Sequence, residues 1–152
     1  MRYGVKLFDK QPHKTDDELK RMLDVPYHFV VGSILYDVQS TRPHVAYASR
    51  VANRYQTCAG EAHWIVVKTI HRYLRKTKDI FLIYSDGELI LEGCNDASFQ
   101  SDDNDAKSQL GFIFKLNDRV VAWKSSKQEN TTDSTMKTEY ISASKQLRMR
   151  LR

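Results

Sequence analysis

Residues 60–94 read GEAHWIVVKTIHRYLRKTKDIFLIYSDGELILEGC, and the spacing of their apolar side chains changes part-way along. In the first half these side chains recur every three or four residues, at Trp64, Val67, Ile70 and Leu74. This period predicts an amphipathic helix that follows Gly60 and ends near Lys76. After Asp79 the apolar residues first run together and then alternate with polar ones, as is typical of β-strands. The stretch therefore predicts a change from helical to β structure near residue 78.

The sequence before this stretch predicts three further helices. Thr15 and Glu18 have the spacing of a capping box, which indicates a short helix over 15–23. Apolar residues at helical spacing over 27–38 indicate a second helix, and the Thr41-Arg-Pro43 segment ends it and begins a third. We therefore expect residues 1–77 to be helical.

The sequence after it predicts antiparallel strands followed by one helix. Asp86-Gly87 is a hairpin signal between a strand at 80–84 and the alternating residues behind it. Residues 109–116 and 119–124 are two more β runs, joined by a tight turn. A final helix begins at Ser134 or Thr135, and the side chains expected to pack against the sheet are Tyr140, Ile141, Ala143, Ser144 and Leu147. The predicted fold is α+β, with a helical half followed by a ββββα unit over 78–152.

Composition limits the classes of protein to which the chain belongs. Of its 152 residues, 41% are hydrophobic and 28% are charged, which is ordinary for a globular protein. The mean hydropathy is −0.57, and the absence of an apolar run of roughly 18 residues predicts no membrane-spanning helix. Cys58, Cys94 and the five histidines lack the spacing of metal ligands, so neither a metal site nor a cofactor is expected.

The charge balance favours an anionic partner. The net charge is +5, and one group of basic residues falls on and just after the predicted helix at 61–76: Lys68, Arg72, Arg75, Lys76 and Lys78. A basic face of this kind binds nucleic acid by releasing counterions from the phosphates. A solvated helix face without a nucleic-acid partner is the alternative interpretation.

Several strings in the chain together resemble the Pol polyprotein of Ty1/copia-type retrotransposons. In order they are VPYHFVVGSILY, TRPHVAYASRVANRY, EAHW, RYLRKTKD, LILEGCNDASFQSD, KSQLGFIF, VVAWKSSKQ and TEYISAS. Eight ordered motifs form a specific signal, although each alone is weak. The resemblance implies that residues 1–77 are the C-terminal part of a reverse transcriptase, thumb- or connection-like, and that residues 78–152 are a truncated RNase H-like domain.

The same resemblance identifies two carboxylates of an RNase H site. Asp96 in CNDASF matches the first aspartate of the family's four-carboxylate site, and Glu139 in KTEYIS matches its glutamate. In the parent family such sites hold two Mg²⁺ ions. The resemblance places the other two aspartates beyond Arg152 and the reverse-transcriptase aspartate pair before Met1. We therefore expect Asp96 and Glu139 to be relics and the chain not to be an enzyme.

A second resemblance concerns residues 72–75. Arg72, Tyr73, Leu74 and Arg75 match R-x-L-R, the targeting motif of secreted effectors from plant-pathogenic oomycetes, and the chain also resembles downy-mildew sequences of that class. This implies a non-enzymatic virulence protein, secreted into the nucleus or cytoplasm of the host plant cell, that suppresses defence or cell death by binding an unknown host protein. The N-terminal MRYGVKLFDKQPHK has no recognisable signal peptide, which favours an intracellular protein instead. The alternative function is a remnant that binds, or weakly cleaves, RNA:DNA hybrids.

Overall fold

The computed structural model describes residues 16–84, 89–101 and 106–150. The chain divides into two compact units, Met1–Phe81 and Leu82–Arg152. The first contains α1 (Asp16–Leu23), α2 (Tyr27–Thr41), a 3₁₀ turn (Pro43–Val45), α3 (Ala46–Arg54) and α4 (Glu61–Lys76). The second contains β1 (Leu91–Ser98), β2 (Gln109–Leu116), β3 (Arg119–Lys127) and α5 (Thr135–Arg150). The predicted α+β class and the helices of the first half are confirmed. None of the helices in these ranges is long and apolar enough to cross a bilayer.

The core of the helical unit lies between α2, α3 and α4. Its most deeply buried members include Val31 on α2, Ala52 on α3 and Val67 on α4. Each buried aliphatic side chain of valine size contributes about 1.5–3 kcal/mol relative to an exposed one. The phenol of Tyr27 also enters this core, where its hydroxyl donates a 2.8 Å hydrogen bond to the carbonyl of Ala52. Burial raises the pKa of Tyr27 above its usual range, because the phenolate would lose its hydration.

At the start of helix α4, two backbone amides donate hydrogen bonds to side chains. The amide of Gly60 donates to Nδ1 of the buried His63 over 3.0 Å, so this ring nitrogen carries no proton. The amide of Glu61 donates to a carboxylate oxygen of Glu18 on α1 over 3.2 Å. A carboxylate at this end also offsets the positive end of the helix dipole. The start of α4 is therefore held by His63 of the same helix and by Glu18 of α1.

The second unit is built on an antiparallel sheet with the strand order β1-β2-β3. Gly93 on β1 pairs with Phe114 on β2, and Ile113 pairs with Trp123 on β3. The predicted turn at Asn117-Asp118 is confirmed: φ is 51° and 60° at these residues, as a two-residue hairpin with a type I′ turn requires. Asn117 also bonds Ile90, which extends the contact between β1 and β2 beyond the strand.

Of the four predicted strands, the first, at 80–84, is wrong. In the described ranges the sheet has three strands, and residues 80–84 are irregular; the predicted turn at Asp86-Gly87 lies outside those ranges. The amide of Ile80 still bonds the carbonyl of Thr77 in the turn that closes α4, and the side chain of Phe81 is 71% exposed. Propensity for β structure does not make a strand unless a neighbouring strand supplies hydrogen-bond partners and packing.

The predicted packing face of α5 is wrong at Tyr140 and Leu147, whereas Ile141, Ala143 and Ser144 are half-buried. Tyr140 is 75% exposed and Leu147 is 59% exposed, whereas Thr138, Ser142 and Gln146 are buried. The buried residues follow the i, i+4 spacing of one helix face, but they are polar. Two of them are accommodated by hydrogen bonds: Thr138 contacts the hydroxyls of Ser108 and Thr132, and Ser142 donates to the backbone of β1. Hydrogen bonds of Thr138 and Ser142 therefore stabilise the inward position of this polar face.

Two glycines differ in the space around them: Gly93 is crowded and Gly32 is open. A Cβ at Gly93 would lie 2.6 Å from the Gln146 amide nitrogen and 3.2 Å from the Phe114 ring, whereas one at Gly32 on α2 would meet nothing within 4 Å. We expect Gly93→Val to lower the free energy of unfolding by about 1–3 kcal/mol through overpacking. Gly32→Ala should raise it by about 0.5–1 kcal/mol by removing a glycine from a helix. Urea unfolding followed by circular dichroism measures both, and an unchanged Gly93→Val transition would contradict the close packing of α5 on β1.

Candidate functional site

The structure brings together the elements that carry Asp96 and Glu139. Asp96 lies on β1, and its backbone carbonyl accepts a 3.4 Å hydrogen bond from the Ser142 hydroxyl on α5. Glu139 lies on α5, one turn before Ser142. The side chains of both acidic residues are exposed. The contact between strand and helix near this position therefore runs through the main chain of Asp96, and both carboxylates remain in solvent.

The two carboxylates offer the oxygen ligands that Mg²⁺ prefers. A two-metal site needs ligands that bridge both ions and hold the remaining positions. Among residues 16–84, 89–101 and 106–150, no group of three or more histidine, cysteine, aspartate or glutamate side chains is arranged to hold a metal ion. The described residues therefore do not fit the two-metal site implied by the resemblance.

The Arg72–Arg75 motif lies in the last two turns of α4. The ring of Tyr73 packs edge-on against His44, with 5.5 Å between ring centroids, and Leu74 packs against the core of the helical unit. Burial, and then the charge of Arg42, lowers the pKa of His44. Arg72 and Arg75 are exposed. Leu74 is thus used by the fold, Tyr73 is partly covered by His44 but still 43% exposed, and the two arginines are available to a partner.

Four of the five predicted basic residues share one face of α4. Lys68, Arg72, Arg75 and Lys76 are spaced i, i+4, i+7 and i+8, and we call this set the basic stripe. All four are exposed, on the side of the helix opposite Val67 and Ile70. The ammonium of Lys68 lies 5.9 Å from the centroid of the Trp64 ring, within cation–π range. Lys78 lies after the end of α4 and is not part of the basic stripe.

Lys78 lines a groove between α2 and α4 that the sequence reasoning missed. The groove encloses about 510 Å³, and its lining includes Phe29, Ile34, Asp37, Arg42, Arg75 and Lys78. Nη2 of Arg42 donates to the carbonyl of Lys78 over 3.2 Å. The available signal was Arg42 at the break between two predicted helices, but no periodicity indicates that this residue faces α4.

Known proteins of two kinds are similar to this chain. It is 37% identical over 139 residues to the retrovirus-related Pol polyprotein from transposon TNT 1-94 of Nicotiana tabacum, which covers 91% of the chain and 10% of the polyprotein. It is 35% identical over 124 residues to Secreted RxLR effector protein 161 of Plasmopara viticola, which covers 81% of the chain and 87% of that protein. The chain belongs to a family that contains copia-type Pol polyproteins and this effector. Both resemblances inferred from the sequence are thereby confirmed.

Another member of the family is the Pol polyprotein from transposon RE2 of Arabidopsis thaliana, 32% identical over 117 residues, or 76% of this chain and 8% of the polyprotein. The chain thus spans about a tenth or less of the transposon polyproteins that it matches. No family model matches the chain. No solved structure matches it either, and the RNase H-like assignment of the second unit stays a prediction.

The division of the motif between fold and surface predicts two different mutational effects. Leu74→Ala should lower the free energy of unfolding by about 1–2 kcal/mol, less than a fully buried leucine would cost, because Leu74 is half-buried against the core. Arg72→Ala should change it by less than about 0.5 kcal/mol. Chemical denaturation of both variants tests this, and equal effects would show that the motif is not divided in this way.

Proposed function

We propose that this member of the copia-type Pol family acts by binding and not by catalysis, as an effector-like protein that suppresses host plant defence or cell death. One observation carries the proposal. The relative named Secreted RxLR effector protein 161 is matched over 87% of its own length, so the similarity extends over nearly all of that protein. The transposon polyproteins are matched over a small fraction of theirs. The match therefore covers most of the effector's own length and only a small part of each polyprotein's.

The surface of the helical unit supports a binding function. Arg72 and Arg75 are exposed on α4, and on α2 the side chains of Phe29 and Tyr36 are each 76% exposed. Arginine and aromatic side chains are enriched at protein–protein interfaces, where they contribute most of the binding energy. The partner in this proposal is a host protein in the cytoplasm or nucleus of the plant cell, which the chain reaches by secretion.

The environment of the two acidic residues supports the non-enzymatic part of the proposal. Catalytic carboxylates act in preorganised sites that exclude water, where their interactions are strongest. Asp96 and Glu139 are exposed to solvent. In this proposal the first unit derives from the end of a reverse transcriptase and the second from an RNase H-like domain, and the family fold is retained without the reaction.

The basic stripe favours a second candidate function, which is binding to RNA:DNA hybrids. Its four cations lie within one face of α4, spanning about 12 Å along the helix axis. This length lets a helix face contact successive phosphates of one strand. The stripe has no apolar or base-reading component, so in this candidate function binding is independent of sequence.

Plant cells test the effector proposal. The chain, expressed inside leaf cells together with an elicitor of cell death, should reduce cell death relative to an empty vector. Arg72→Glu should weaken this effect by reversing one charge of the exposed pair, whereas Arg50→Glu, on the exposed side of α3 in the same unit, should leave it intact. Electrolyte leakage measures cell death, and immunoblots measure protein amount. Unchanged cell death in cells that accumulate the chain would refute the proposal.

Hybrid substrates test the alternative and the absence of catalysis together. We expect no cleavage of a labelled RNA:DNA hybrid in Mg²⁺, and cleavage that disappears in Asp96→Asn would show that the site is active. If the stripe binds the hybrid, the affinity should fall steeply with salt. Neutralising Arg72, Arg75 and Lys76 together should then reduce the slope of log K against log[salt] by about 2–3. Salt-independent binding would remove this candidate function.

A further inference from the structure

Arg42 has a buried hydrogen-bond donor for which the described part of the chain supplies no acceptor. Nη2 of its guanidinium donates to the carbonyl of Lys78, but Nη1 is buried and has no hydrogen-bond partner among residues 16–84, 89–101 and 106–150. A buried donor without an acceptor is costly, because it has lost its hydration and gained nothing in exchange. Arg42 lines the groove between α2 and α4, so a group that enters the groove is in a position to supply the missing acceptor.

The charge of the groove is predominantly positive. Arg42, Arg75 and Lys78 contribute three cations to its lining, and Asp37 contributes one anion. A guanidinium is planar and presents its donors in a fork that matches the two oxygens of a carboxylate. The missing acceptor therefore has the chemistry of an oxyanion.

The groove also has an apolar part, which lies at the opposite end of the groove from the cations. The rings of Tyr27 and Trp64 are in contact near the starts of α2 and α4, and Arg42 bonds Lys78 after their ends, so the two helices run in the same direction. Phe29 and the apolar residues after it therefore lie towards one end, with the cations at the other. Residues 29–41 of α2 span about 18 Å, which is the length of about five residues of extended peptide.

We propose that this groove binds an acidic peptide segment of a partner protein. A carboxylate of the segment accepts from the Arg42 guanidinium between Arg75 and Lys78, and an apolar side chain about three or four residues away packs on the exposed Phe29 and the half-buried Val30. The groove is longer than a single small ion requires, and the carboxylate of Asp37 within it disfavours a continuous phosphate backbone. The inference rests on the proposed function, that the chain acts by binding a protein, and specifies the chemistry of the segment.

A displayed library of random dodecapeptides, selected against the full chain, tests the proposal. The selected peptides should be enriched in aspartate and glutamate, with a leucine, phenylalanine or isoleucine three or four residues from the acidic position. A synthetic copy of the most enriched peptide is then titrated calorimetrically, beside a copy with glutamine and asparagine in place of its acidic residues. The amide copy should bind at least about tenfold more weakly, because it lacks the charge that pairs with the guanidinium. Selection of peptides without acidic residues, or equal binding of the two copies, overturns the proposal.

Variants locate the binding to the groove. Arg42→Gln should weaken binding of the synthetic peptide about tenfold, and Arg50→Gln on α3 is the matched control that should leave it unchanged. Because Arg42 also bonds Lys78, Arg75→Gln provides a second variant at an exposed position, and circular dichroism melts verify that each variant is folded. If Arg42 and Arg75 only stabilise the ends of α2 and α4, the Arg42→Gln and Arg75→Gln variants will bind the peptide as tightly as the original chain. That result refutes the inference.

Two further results separate this inference from its alternatives. Displacement of the peptide by a single-stranded oligonucleotide at lower concentration than by a competing acidic peptide would assign the groove to nucleic acid and overturn the proposal. A chain that binds acidic peptides through Arg42 but leaves plant cell death unchanged would keep the groove and lose the proposed effector function. Suppression of cell death that survives Arg42→Gln would keep the function and assign it to another surface.

Discussion

The burial of one face of α4 against α2 and α3 is the constraint on which the helical unit depends. Val67 and Ile70 lie almost fully within the core, and this fixes the rotation of the helix about its axis. The opposite face must then face solvent, which places the basic stripe outside. The same rotation turns Leu74 inwards, so that a motif of four adjacent residues is divided between core and surface. The surface chemistry of α4 thus follows from its packing.

The second unit depends on a different interaction, the contact of a polar helix face with a strand. Ser142 bonds the backbone carbonyl of Asp96, and Gln146 occupies the space that a side chain at Gly93 would fill. Neither contact uses the carboxylate of Asp96, because a backbone carbonyl is present whatever residue stands there. The strand–helix contact therefore leaves little room for a side chain at position 93 and uses no particular side chain at position 96.

The sequence predicted the features that depend on local patterns of residues. It did not predict the features that depend on contacts between elements distant in the sequence. The bounds of α4 and the turn at Asn117-Asp118 follow from local patterns, and both are present. The apolar run at 80–84 has the propensity of a strand but pairs with no strand in the described ranges, and hydrogen bonds hold the polar face of α5 inwards. The groove escaped prediction for the same reason: Arg42 belongs to it only because α2 and α4 run side by side in one direction.

These constraints place the binding features and the acidic residues in different compact units. The basic stripe and the groove belong to Met1–Phe81, whereas Asp96 and Glu139 belong to Leu82–Arg152. Each unit has its own buried residues, Val67 and Ile70 in the first and Leu110 and Phe114 in the second. Neither Asp96 nor Glu139 belongs to the buried core that holds α4, so a change of charge at either position removes no member of that core. The family contains both Pol polyproteins and an effector, and the binding function proposed for this chain uses residues of the helical unit alone.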